Sequence, residues 1–253
     1  MFTIAQYALI FFTTLAAGVI NALAGGGTLL TFPLLLALGL PAVSANVTNQ
    51  ISVMPGFFGA AVAQFKDLKG QERRLAMALP ACAVGGLVGG ILLIQTGERL
   101  FNELVPYLLL MAALLLAVQD SVRGWLFRRS QAGHINLTEA WVVLPVGIAS
   151  IYAGYFGAGA SVIILAVTGL VLEETMTRLN AIKQVIGLVS GITAAIFFIF
   201  AGEINWPVAF VMMAGSLVGG LLGGRVAGVV NPTVLRWIVV IIGLVMAVFY
   251  FLK

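Results

Sequence analysis

The sequence predicts an all-α polytopic membrane protein. Of its 253 residues, 61% are hydrophobic and 9% are charged, whereas a soluble domain carries about 25% charged residues. The apolar runs are continuous rather than alternating, which favours helices over a β-barrel. The first charged side chain is Lys66. Such a chain cannot form a water-soluble surface, so we expect a multi-pass protein of a plasma (inner) membrane.

Ten uncharged runs divide the chain into two sets of five. They cover residues 1–23, 28–40, 44–65, 75–97, 104–119, 140–156, 159–172, 184–202, 204–224 and 237–252. The polar stretch between the sets predicts a cytoplasmic linker at 121–138, with a first transmembrane repeat at 1–120 and a second at 139–253. No basic residue precedes the first run, so a signal peptide is not expected.

The two halves contain an internal repeat. The segment VGGLVGG at 84–90 returns as VGGLLGG at 218–224, which is 134 residues later. The same shift, without a gap, aligns Asn46 with Asn180, Gln50 with Gln184, and Gly25 with Gly159. One shift that explains motifs so far apart favours duplication over a chance likeness between glycine-rich helices.

The loop charges indicate how the halves are inserted. Lys and Arg collect in cytoplasmic loops, which places 66–74 inside with the linker and 98–103 outside. The repeat counterparts are reversed, since 201–207 has no basic residue and 225–236 carries Arg225 and Arg236. We therefore favour two inverted repeats of about five segments each, with both termini outside. Parallel repeats, each with four crossings and a re-entrant piece, fit the charges less well.

Each half begins with a segment that glycines interrupt. AGGGT at 24–28 and FGAGAS at 156–161 occupy matching positions within apolar sequence. Short interrupted segments in inverted repeats are typical of secondary transporters, and the N–H groups of the following helix can bind an anion. The alternative is close helix packing, which we prefer for the glycine pairs at 84–90 and 218–224.

Two polar clusters recur at the same repeat positions. ANVTNQ at 45–50 matches LNAIKQ at 179–184, and each places Asn and Gln four residues apart on one helix face. Lys183 replaces the Asn49 of the first cluster. It is either an interfacial lysine that reaches the headgroups or a cation of an anion site. Arg178 is either a gate at the entrance or a headgroup contact.

Enzyme chemistry is not expected. The single histidine, His134, lies in the linker, and the single cysteine, Cys82, lies in an apolar run. Neither an embedded Ser–His pair nor a cysteine or histidine metal site can be built from them. We expect no cofactor, no metal and no nucleic-acid partner.

The chain resembles the sulfite exporter TauE/SafE family of membrane permeases. The matching residues are GVINALAGGGTLLTFPLLLALGLPAVSANVTNQISVMPG (18–56), AGYFGAGAS (153–161), LNAIKQ (179–184) and SLVGGLLGGRVAGVVNP (216–232). The resemblance implies transport of small sulfur-containing or organic anions such as sulfite or sulfoacetate. The family's second glycine motif often reads Gly-x-Gly-Gly-Gly, whereas this chain reads GAGAS, which adds Ser161.

These observations predict an anion site between the two repeats, near the bilayer midplane. The candidate substrate-binding residues are Asn21, Gly25, Gly26, Gly27, Thr28, Asn46, Thr48, Asn49, Gln50, Gly157, Gly159, Ser161, Asn180, Lys183 and Gln184. No carboxylate lies mid-run in an apolar segment, which favours export driven by the membrane potential. Proton-coupled uptake and an anion channel are the alternatives, and a homodimer stays open.

Overall fold

The computed structural model describes residues 2–131, 139–172, 174–201, 203–227, 229 and 233–252, which contain helices and no strand. The α-helices are α1 (Ile4–Leu23), α2 (Thr28–Ala37), α3 (Ala42–Ala63), α4 (Glu72–Gln131), α5 (Val143–Tyr155), α6 (Ala160–Val171), α7 (Met176–Ala201), α8 (Trp206–Val226) and α9 (Thr233–Leu252). Short 3₁₀ turns lie at Phe65–Leu68 and Glu139–Val142. His134 and most of the second half of the predicted linker lie outside the described residues.

Five of these helices are long and apolar enough to cross a membrane. The longest, α4, bends at Gly97, where φ is 70° and ψ is 168°. A straight helix of its 60 residues would span about 90 Å, three times the hydrocarbon thickness. The bend therefore divides α4 into a first arm (72–96) and a second arm (98–131). The protein is a multi-pass helical membrane protein, as the sequence predicts.

Helices α2, α5 and α6 are too short to cross. They have 10, 13 and 12 residues, so each covers only about 15–20 Å. Helix α2 turns back towards the start of α1, because Phe2 and Tyr7 line the same cavity as Gly39 and Pro41. The break between α1 and α2 consequently lies deep in the molecule, at 24–27.

Helices of each half pack against helices of the other half. Helix α8 packs against α1 and α3, whereas α4 packs against α5 and α7. Helices α3 and α7 begin at Ala42 and Met176, and α4 and α8 begin at Glu72 and Trp206. Both pairs of starts are separated by the 134 residues of the sequence repeat. The fourth element of each half thus contacts the first and third elements of the other half.

Glycine permits these close contacts between helices. A Cβ at Gly86 would lie 2.2 Å from the carbonyl oxygen of Ser190, and a Cβ at Gly220 would lie 2.1 Å from that of Gly56. Each contact is the repeat counterpart of the other. Small residues let membrane helices approach to backbone contact, so the packing role predicted for both glycine pairs is confirmed.

We expect Gly86→Ala to lower the melting temperature of the purified protein. The added methyl would overlap the Ser190 carbonyl, and such overpacking costs roughly 1–3 kcal/mol. Gly124→Ala is the matched control, since nothing lies within 4 Å of a Cβ there and alanine favours helix. Thermal unfolding in detergent checks this. Equal melting temperatures for the two variants would show that the crossing tolerates a methyl group.

Candidate functional site

The two helix breaks depend on glycines with left-handed backbone. The φ angles are 82° at Gly25, 93° at Gly26, 79° at Gly157 and 74° at Gly159, a region that L side chains rarely adopt. The breaks also touch, because a Cβ at Gly25 would lie 2.5 Å from the Cβ of Ser161. The two interrupted segments of the sequence therefore meet in space.

A cavity of about 40 Å³ lies between the breaks. Its lining includes five of the predicted site residues, Asn21, Thr28, Gln50, Gly157 and Ser161. The other lining residues are mainly small or apolar and come from α3, α5, α6 and α7. A water-sized group needs about 10–15 Å³ of such space, so the cavity has room for a small ion of a few atoms.

The N-terminal ends of α2 and α6 carry N–H groups without an acceptor in the described part of the chain, and two of these groups, on Thr28 and Ser161, belong to residues that line the cavity. Among the described residues, the N–H groups of Gly26 and Thr28 have no acceptor. The same holds for the N–H groups of Ala158, Gly159 and Ser161 at the start of α6. Helix starts that carry free N–H groups and a positive dipole end favour anions.

Three side chains add polar groups to the cavity wall. The Oδ1 of Asn21 accepts a hydrogen bond from the N–H of Gly27 at 2.7 Å, which fixes the amide and leaves its Nδ2 as a donor. Thr28 and Ser161 contribute hydroxyl groups. Hydroxyl and amide donors suit an anion with several acceptor oxygens.

The C-terminal end of α1 is capped by side chains from α4 and α7. The last carbonyl groups of a helix lack partners within it, and here each of four receives a hydrogen bond. Lys183 donates to Asn21 O (3.5 Å), Asn180 and Gln184 to Ala22 O (3.0 and 3.2 Å), Arg123 to Leu23 O (3.2 Å) and Gln119 to Ala24 O (2.7 Å). Two cations thus face the negative end of the helix dipole.

The C-terminal end of α5 is capped without charge. Asn46 donates to Tyr155 O at 2.8 Å, and Gln50 donates to Gly154 O at 3.0 Å. These amides are the repeat counterparts of Asn180 and Gln184 and perform the same task on the opposite break. The two breaks are therefore alike in their amides and different in their cations.

Several predicted residues lie outside the cavity wall. Thr48 accepts a hydrogen bond from the N–H of Asn205 at 2.9 Å, and Asn49 accepts one from Thr31 at 2.5 Å. Lys183 is only 1% exposed, so it does not extend to the headgroups. It lies one helical turn from Gly187, which does line the cavity.

Sequence reasoning missed Gln119 and Arg123 as functional candidates. Their apolar run ends at Gln119, and the sequence assigned Arg123 to the linker, but the structure continues α4 through Gln131. The two side chains are four residues apart, hence on one helix face. Asn180 and Gln184 have the same spacing. This shared spacing of two polar residues is the sequence feature that could have identified Gln119 and Arg123.

Arg178 belongs to an ionic cluster at the start of α7. Its Nη1 lies 2.8 Å from a Glu174 oxygen, and its Nη2 donates to the carbonyl of Lys69 at 2.6 Å. Glu174 also accepts from Arg74 and, at 2.7 Å, from Gln71. We call these four side chains (Gln71, Arg74, Glu174 and Arg178) the Glu174 latch, because they join the loop before α4 to the link between α6 and α7.

The fold and the cavity define a class of protein. Several helices long enough to cross a membrane are combined with two broken helices, whose ends border a mainly apolar cavity with a few polar groups, and this is the architecture of a membrane transporter. The sequence matches the family model of the sulfite exporter TauE/SafE over residues 10–250. The chain belongs to the TauE/SafE sulfite exporter family.

Its curated relatives are bacterial membrane proteins. A Haemophilus influenzae protein named Probable membrane transporter protein is 28% identical over 239 residues, covering 94% of this chain and 92% of its own. The Escherichia coli protein YfcA, with the same descriptive name, is 24% identical and covered to 87%. The ORF9 protein of a Sinorhizobium species is 25% identical and covered to 90%. All three are named transporters rather than enzymes.

We expect the Glu174 latch to weaken in acid. Burial raises the pKa of Glu174, but hydrogen bonds from Gln71 and Arg74 and the charges of Arg178 and Arg74 outweigh it and hold the pKa below the usual value of a glutamate. A lowered pKa contributes stability above the unfolded value, and that stability is lost as pH falls through the folded value. Melting temperature measured from pH 7 to pH 3 should therefore fall less steeply in Glu174→Gln.

Glu103→Gln is the control for this measurement, because the side chain of Glu103 is 63% exposed. Its pH profile should match that of the wild type. A Glu174→Gln profile as steep as the wild type would contradict the role of the latch.

Proposed function

We propose that the protein is a secondary transporter that exports small sulfur-containing or organic anions, such as sulfite or sulfoacetate. The observation that carries this proposal is the meeting of two broken-helix N-termini at one cavity. Both ends present free N–H groups, and Thr28, Ser161 and Asn21 add hydroxyl and amide groups. Among the described residues that line the cavity, none is acidic.

The cavity dimensions favour a compact substrate. Sulfite has three oxygens on one sulfur, so it can accept from several donors around a small space. A volume of about 40 Å³ suits an ion of this size, whereas sulfoacetate requires the two breaks to separate. The positive ends of α2 and α6 supply the favourable field for either anion.

The packing of the fourth helix of each half against the other half supports an inverted repeat and alternating access. After its broken helix, each half has three crossings, namely α3 and the two arms of α4 in the first half, and α7, α8 and α9 in the second. Because three is an odd number and α2 turns back towards the start of α1, the second half begins on the opposite side of the membrane and is inserted upside down. The breaks then approach the midplane from opposite sides. Rocking of one half against the other exposes the cavity to each side in turn, which fits a carrier better than a channel.

The Glu174 latch is positioned to be the cytoplasmic gate. The four basic residues of the loop at 66–74 favour the cytoplasmic side for it, and Arg74 at its end shares Glu174 with Arg178 at the start of α7. Closing this latch shuts the inner path while the outer path opens. Outward movement of an anion gains roughly 2.3 kcal/mol per charge per 100 mV of inside-negative potential, so export needs no coupling ion.

We expect Asn21→Asp to abolish sulfite flux in proteoliposomes. The substitution keeps the acceptor for the Gly27 N–H but replaces the cavity donor with a carboxylate that repels anions. Ser161→Ala should lower flux by about tenfold, because one hydrogen bond to a charged group contributes about 1.5 kcal/mol.

Arg99→Ala is the control. The Arg99 side chain is 96% exposed, so this variant should leave flux unchanged. Retained flux in Asn21→Asp would remove Asn21 from the site. Rates far above carrier turnover would instead support a channel.

Cysteine labelling tests the inverted insertion. We expect an impermeant maleimide applied outside intact cells to label Glu203→Cys and not Lys69→Cys, since both positions are exposed and the loop charges place them on opposite sides. The native Cys82 is buried and does not interfere. The reverse labelling pattern would refute the orientation.

A further inference from the structure

We propose that the Lys183 ammonium is a tethered cation that occupies the position of a coupling metal ion at the C-terminal end of α1. In secondary transporters, half-helix C-terminal ends and unwound carbonyls coordinate Na⁺. Here a lysine from α7 donates to that end, at Asn21 O. The proposal deepens the proposed function, because it predicts transport without Na⁺ coupling.

The surroundings of Lys183 are those of a bound cation rather than of an ion pair. The side chain is 1% exposed, and among the described residues no carboxylate lies within salt-bridge distance of it. Its one hydrogen-bond partner there is a main-chain carbonyl at 3.5 Å. A buried charge without a counterion is costly, and the carbonyl end of α1 is the acceptor that Lys183 contacts.

Neutral oxygens accumulate at the same helix end. Three capping amides have a buried carbonyl oxygen without a hydrogen-bond partner, namely Asn180 Oδ1, Gln184 Oε1 and Gln119 Oε1. Their nitrogens already donate to Ala22 O and Ala24 O. Carbonyl oxygens are suitable ligands for a hard metal cation, so the cluster is suited to a positive charge whether the charge is tethered or free.

Unlike Lys183, the neighbouring arginines have a carboxylate nearby among the described residues. Arg236 is paired with Asp120, and Arg123 lies within electrostatic reach of the same carboxylate. In the other half, the repeat counterpart of Lys183 is Asn49, which contacts Thr31 instead of the α5 end. The tethered charge therefore belongs to one break only, and it lies behind Asn21, whose other face lines the anion cavity.

Removing the tethered charge should create a dependence on a free cation. We expect Na⁺ or K⁺ to raise the melting temperature of detergent-purified Lys183→Ala relative to N-methylglucamine at equal ionic strength, because a ligand that binds only the folded state stabilises it. Wild type, Lys183→Arg and Arg99→Ala should show no such rise. Lys183→Gln replaces the alanine variant if the latter does not fold.

Sulfite flux in proteoliposomes gives the second readout. Wild-type flux should be the same in Na⁺ and in N-methylglucamine, whereas flux of Lys183→Ala should fall by on the order of tenfold without Na⁺ and recover with it. Wild-type dependence on Na⁺, or a folded variant that no monovalent cation stabilises, would overturn the tethered cation.

The two readouts separate this proposal from the proposed function. If wild type carries no sulfite but Na⁺ or K⁺ still stabilises Lys183→Ala, the substrate is wrong and the tethered cation stands. If sulfite is carried but neither cation affects the folded variant, the transporter stands and the tethered cation is wrong.

Discussion

The structure depends on one constraint, which is that every backbone polar group inside a membrane needs a partner. Breaking α1 and α5 inside the protein frees carbonyl groups at one side of each break and N–H groups at the other. The carbonyls are capped by amides and, at α1, by Lys183 and Arg123. At the starts of α2 and α6, the N–H groups of Thr28 and Ser161, two residues of the cavity wall, have no acceptor among the described residues. An anion is the partner that we propose for these N–H groups.

The cap and the proposed anion site therefore lie on two sides of the same helix break. Asn21 connects them, since its main-chain oxygen accepts from Lys183 while its side chain fixes the N–H of Gly27 and faces the cavity. A cation on one side of Asn21 favours an anion on the other. In the proposed transporter, Lys183 would act on the substrate through Asn21, since Lys183 is not part of the cavity wall.

The sequence pattern was sufficient to predict the membrane class, the repeat-related helices α3 with α7 and α4 with α8, and the breaks at glycine. Uncharged runs and a single 134-residue shift locate these features, because lipid burial and duplication leave direct marks on composition. The site was only partly accessible in this way. The pattern indicates that Asn46, Gln50, Asn180 and Gln184 are buried, but their carbonyl partners lie on the opposite half, which no local pattern encodes. Arg123 was missed because the end of its helix carries linker-like charge.

The glycine crossings also have a consequence for synthesis of the protein. Because α4 packs against α5 and α7, and α8 against α1 and α3, the first half leaves the ribosome without the surfaces that it buries. At translation rates of about 5–20 residues per second, its glycine faces stay exposed to lipid for several seconds until the second half arrives. The surfaces that each half buries against the other are therefore completed only when both halves are in the membrane.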